Sequence, residues 1–142
     1  MLDSRRTDRG SVLLLMPAAV LVVLVLGAIA VDMTIVHLGE REAITAAQAA
    51  ADDAATWGVD DAALYGNGSY RLDRSRVVEA VHTSLAHHEL SGRLTDLRVA
   101  VNGTTVSVTV ELEVDYVFAP IIPDAPHHTR VQATASASVI QR

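Results

Sequence analysis

At 142 residues the chain has the length of one domain, and setting aside an apolar stretch near the N-terminus leaves about 110 residues, enough for one modest core. Half of the residues are hydrophobic but only 4% are aromatic, so any core is built from small and β-branched side chains. The net charge of −6 offers no basic surface to nucleic acid, and the absence of Cys excludes disulfides, thiolate metal sites and a Cys nucleophile.

Residues 1–10 are polar and contain Arg5, Arg6 and Arg9, while residues 11–31 carry no charge. Twenty-one residues at about 1.5 Å each span about 31 Å, the thickness of a bilayer's hydrocarbon core. This predicts a transmembrane helix over 11–31, ended sharply by Asp32. Three Arg precede the span and none follows it until Arg41, which places residues 1–10 in the cytoplasm and the rest outside, as in a single-pass protein of the cytoplasmic membrane. Pro17 sits within two turns of the start, where lipid-embedded helices tolerate it, with a mild kink expected there. Ala28-Ile29-Ala30 has the form of a signal-peptide cleavage site, but the apolar run is longer than such peptides use, so a retained anchor is the expectation.

Residues 32–58 continue as a helix rich in Ala, Glu, Gln and Arg, interrupted only by Gly39 and stopped at Gly58. Its apolar positions are mostly Ala, which suits close approach to a neighbouring backbone. The ordered set Arg9-Gly10, apolar run, Val31-Asp32 and then Gln48, Ala50, Ala51, Asp52, Ala54 and Ala55 resembles the N-terminal segment of the TadE/TadG-like proteins. These are minor-pilin-like components of Flp (tight adherence, type IVb) pilus systems. The resemblance covers about the first 58 residues. It implies a candidate processing site at Gly10-Ser11, but the position five residues beyond Gly10, a Glu in pilin-like members, is Leu15 here. It also implies a pilin-like plan, with other pilin-like or pilus-assembly proteins as partners.

Residues 59–142 read as an exported α+β domain. The stretch 59–72 is a connecting loop, and Asp73 caps a second helix to about residue 90, with Val77, Val81, Leu85 and His88 on one face and Gly92 closing it. Leu97, Val99 and Val101 alternate with polar or small residues, and Asn102-Gly103 signals a hairpin. Val106, Val108, Val110, Leu112, Val114, Tyr116 and Phe118 then share one face at period two. Residues 119–128 are a Pro-rich loop, and 130–139 alternate again with a small Ala face suited to lying under a helix. The expectation is an antiparallel sheet of about three to four strands, its dry face covered by the second helix and the outer half of the first.

Residues with chemical potential have plainer readings. His82, His87 and His88 on the second helix are five and six apart, where three or four would bring ligands together, and His127-His128 lie in the loop, so no metal is expected. Adjacent carboxylates at Asp52-Asp53 and Asp60-Asp61 point about 100° apart on a helix and form no acid/base dyad. Ser11, Ser69 and Ser84 lack a nucleophile motif, and no phosphate- or dinucleotide-binding fingerprint is present. Glu111, Glu113 and Asp115 are either a solvated face that discourages edge pairing or a dock for an Arg-bearing partner. The sequence therefore predicts a non-enzymatic membrane protein without cofactor or small-molecule substrate: a pilus-assembly component or, alternatively, a membrane-tethered binding module unrelated to pili.

Overall fold

The structure is a computed structural model describing residues 8–61, 65–66, 71–88, 90 and 92–139, with side chains from position 15 onward. Most of the polar N-terminal stretch, Ser69, the Ser11 side chain of the candidate Gly10-Ser11 processing site, and parts of the 59–72 connection lie outside the described residues.

Helix α1, Asp8–Trp57, is a single element of 50 residues, about 75 Å long. It runs unbroken through Pro17, through Ala28-Ile29-Ala30 and past Asp32. It stops at Gly58, whose N–H still reaches the Ala54 carbonyl at 2.9 Å. A Cβ on Gly58 would collide with that carbonyl and with the Val77 side chain, so the stop requires glycine. Helix α2, Arg74–His87, starts where the Asp73 carboxylate accepts the N–H groups of Ser75 and Arg76, pairing donors that have no partner inside the helix. Its buried face is Val77, Val81, Ser84 and Leu85, and His88 is the half-buried C-cap rather than part of that face. Gly92, expected to close α2, sits at φ 91° in the turn that leads into the sheet.

Strands β1 (Leu94–Asn102), β2 (Thr105–Asp115) and β3 (His128–Ser138) form an antiparallel meander in the order β1-β2-β3. Three strands is the lower end of the expected range among the described residues. The first hairpin turns on Gly103 and Thr104, one residue beyond the expected Asn-Gly pair. Gly103 takes φ 62° at the first central position, where a II′ turn favours glycine. In β2, Val106, Val108, Val110, Leu112 and Val114 are all buried, while the residues between them are half-buried on the opposite face. Each buried Val or Leu contributes roughly 1.5–3 kcal/mol by leaving water.

The period-two pattern of β2 breaks before Tyr116 and Phe118, which were expected to extend the strand. The Tyr116 N–H bonds to the His127 carbonyl at 2.9 Å, and the chain then leaves the sheet because another acceptor takes the next amides. Strand β3 begins at His128, inside the expected loop, because its pairing with β2 runs on to Asp115↔His128.

The dry face of the sheet lies on α1, which crosses β2 and β3 and also carries α2. Ala43, Ala46, Ala47, Ala50, Ala51 and Ala54 are at most 1% exposed there. They recur at three- and four-residue steps, the spacing of one helix face. The same face continues downward through Gly39, Val36 and Ile35 to Asp32. At Gly39 the helix meets β2 so closely that a Cβ would lie 2.5 Å from Cγ2 of Val114. The Ala-rich outer half that the sequence offered to a neighbouring protein is therefore filled by the chain's own sheet.

Candidate functional site

Helix α1 has two halves of opposite character. From Ala43 to Ala54 one face is sealed under the domain, whereas Leu15, Met16, Leu21, Val23, Leu24 and Leu26 are all at least 60% exposed. None of the described residues buries the most apolar window of this helix. By length and composition the apolar half is a candidate membrane span, the one such helix among the described residues.

At the junction of the two halves sits Asp32, buried to 8% exposure. Its Oδ1 accepts the N–H of Val117 at 2.8 Å and of Phe118 at 3.0 Å, and its Oδ2 accepts the N–H of Ala119 at 2.8 Å. The last of these opens a short 3-10 turn, Ala119–Ile121. Burial alone would raise the Asp32 pKa, but the amides of Phe118, Val117 and Ala119 outweigh it and hold the carboxyl below its ordinary 3.8. Asp32 thus fastens the β2–β3 loop to the top of the apolar half. The sequence marked it as the end of the hydrophobic run and as part of the family pattern. Its partners, 85 to 87 residues away, have no local signal beyond an uncharged run whose pattern reads as strand and loop.

The remaining residues of the pattern divide by face. Ala50, Ala51, Ala54 and Ala55 point under the sheet and α2, and Gln48 and Asp52 point to solvent. Small residues are needed where helix and sheet backbones approach closely, so the pattern describes a packing face.

Asp61 accepts from Arg76 Nη1 at 2.7 Å, and the same guanidinium donates to the Val59 carbonyl at 3.1 Å, tying the end of α1 to the start of α2. The hydrogen bond to Asp61 and that carboxylate's charge raise the Arg76 pKa. The Asp73 carboxyl is held low chiefly by the Ser75 hydroxyl, with the Ser75 and Arg76 amides adding to it. The groups with displaced titration among the described residues thus serve a loop latch, a helix cap and an ion pair.

The His residues do not gather as a group. His82 and His87 are exposed on α2, and His127 lies apart in the loop. His128 is the exception: one ligand-type atom each from His128, Glu113 and Asp115 lies within 4.8 Å of the others. Strand pairing of Asp115 with His128 accounts for that proximity, and Asp115 and His128 are both exposed. Arg130 Nε lies 3.7 Å from Glu111 and His128 Nε2 lies 3.7 Å from Glu113, so β3 sets its own Arg and His side chains against the acidic row that the sequence reads either as a solvated face or as a dock for an Arg-bearing partner. Farther along the same face, hydroxyl pairs replace charges, Ser107 with Ser136 at 2.7 Å and Thr109 with Thr134 at 2.9 Å. A groove of about 510 Å³ between α1 and α2 is bordered by Trp57, Asp53, Arg76 and His87.

Compared with known proteins, the chain matches no family model, no curated protein and no solved structure.

Proposed function

We propose that the protein is a membrane-anchored assembly component of the TadE/TadG-like, minor-pilin-like kind, acting through contacts and not through catalysis. The observation that carries this reading is the division of α1. Its outer half is spent on the chain's own domain, while the apolar side chains of residues 15–31 are exposed apart from the half-buried Ala28. A helix of this kind loses no hydrophobic contact by gaining a helical neighbour in lipid, and association there depends on close packing. The plan of a long helix laid on an antiparallel meander agrees with the N-terminal pattern, although a shared plan does not by itself assign function. In this reading the N-terminus faces the cytoplasm and the sheet domain meets partner subunits outside the cytoplasmic membrane.

The chain contains no Cys, so single cysteines placed along 15–31 report neighbours cleanly. In native membranes, cross-linking is expected along one stripe, joining the protein to other small single-helix proteins. An absence of specific neighbours would overturn the assembly reading and favour the tethered binding module, for which the groove beside Trp57 is the available ligand surface.

A further inference from the structure

Residues 117–123, Val-Phe-Ala-Pro-Ile-Ile-Pro, carry no charge and lie between Tyr116 and Asp124. The structure brings this loop down beside the apolar half of α1. A cleft of about 450 Å³ separates them, lined by Leu24, Ala28 and Ile29 on the helix and by Phe118, Ile121 and Ile122 on the loop. Leu24 is eight residues below Asp32, about 12 Å along the helix axis. Ile121 and Ile122 are 75% and 62% exposed, a costly surface to leave in water.

Apolar side chains alone do not suit a loop to lipid, because backbone donors in hydrocarbon must be paired. Here each N–H from Tyr116 to Pro123 has a partner. Tyr116 donates to His127, and Val117, Phe118 and Ala119 donate to Asp32. Ile121 donates to the Phe118 carbonyl and Ile122 to the Ala119 carbonyl, both at 3.0 Å. Pro120 and Pro123 have no N–H to satisfy.

We propose that the 117–123 loop is a second membrane contact, inserted among the acyl chains of the leaflet that faces the domain, with lipid filling the cleft against α1. This rests on the reading of residues 15–31 as a membrane span. Lipid is the occupant because the cleft opens at the depth of that span, on the helix face that the sheet covers higher up. Asp32 marks the water boundary, where one carboxylate pairs three amides that would otherwise enter hydrocarbon bare.

The test uses the full chain in phosphatidylcholine–phosphatidylglycerol vesicles, with nitroxide labels on Ile121→Cys, Leu21→Cys and Ser136→Cys in turn. Collision rates with oxygen and with a water-soluble nickel chelate report depth. At position 121 the nickel rate is expected to be on the order of tenfold below that at 136, since a polar chelate is excluded from hydrocarbon, with oxygen access kept high. Asp32→Asn, which replaces an acceptor oxygen by a donor, should raise the nickel rate at 121 and leave position 21 unchanged. A water-exposed label at 121 beside a lipid-embedded label at 21 overturns the loop proposal alone. Water exposure at 21 overturns the membrane reading beneath it. Shielding of 121 from both reagents means burial against protein, such as a second copy of the chain, and also overturns the proposal.

Discussion

The approach of α1 to β2 at Gly39 can be tested by a double-mutant cycle. In Gly39→Ala the new Cβ lies 2.5 Å from Cγ2 of Val114, whose branched side chain has little room to turn. Overpacking of this kind costs about 1–3 kcal/mol, and the better helix propensity of Ala returns about 1 kcal/mol, so a net loss of roughly 0–2 kcal/mol is expected. Val114→Ala alone removes two buried methyl groups and costs about 1–3 kcal/mol. Combined, the two changes remove the collision and partly refill the space, so the double variant should be more stable than the sum of the singles predicts by about 1–2 kcal/mol. The assay is urea-dependent pulse proteolysis of the full chain in mild detergent, where cleavage in the domain reports its opening. Additivity within about 0.5 kcal/mol would refute the close approach.

The Asp32 latch should also be pH-dependent. Because its latched pKa is lowered, its contribution is fully present above the ordinary carboxylate value of 3.8 and is lost as pH falls through the lower latched value, read as faster hydrogen exchange at the amides of residues 117–119, with that step absent in Asp32→Asn. Leu112→Ala removes a fully buried side chain of β2 and should cost about 2–5 kcal/mol in the same proteolysis assay. Asp73→Ala should lower the urea midpoint by uncapping α2, and Asp73→Ser, which restores a capping oxygen, should recover most of that loss.

What the sequence made legible follows the range of each interaction. The period-two run from Val106 to Val114 is written in neighbouring residues, so the central strand and its buried face could be read directly. The Ala positions from 43 to 54 signalled a helix with one small-residue face, but not what covers it, since a neighbouring protein and the chain's own sheet make the same demand on residue size. Phe118 fits the alternation, so the pattern alone carries the strand too far, and only the distant Asp32 draws its amide out of the sheet. Likewise His128 looked like loop beside three prolines, while the register with Asp115 makes it the first residue of β3.

The continuity of α1 has a mechanical consequence. With no break between its apolar half and the face beneath the sheet, and with Asp32 pinning the loop at the junction, the tilt of the apolar half, if it spans a bilayer, and the tilt of the domain are a single variable. A helix in a thinner bilayer leans over to keep its apolar length covered. Here that lean would carry the whole sheet with it, so bilayer thickness would set the angle at which the hydroxyl-lined outer face meets whatever lies beyond the membrane.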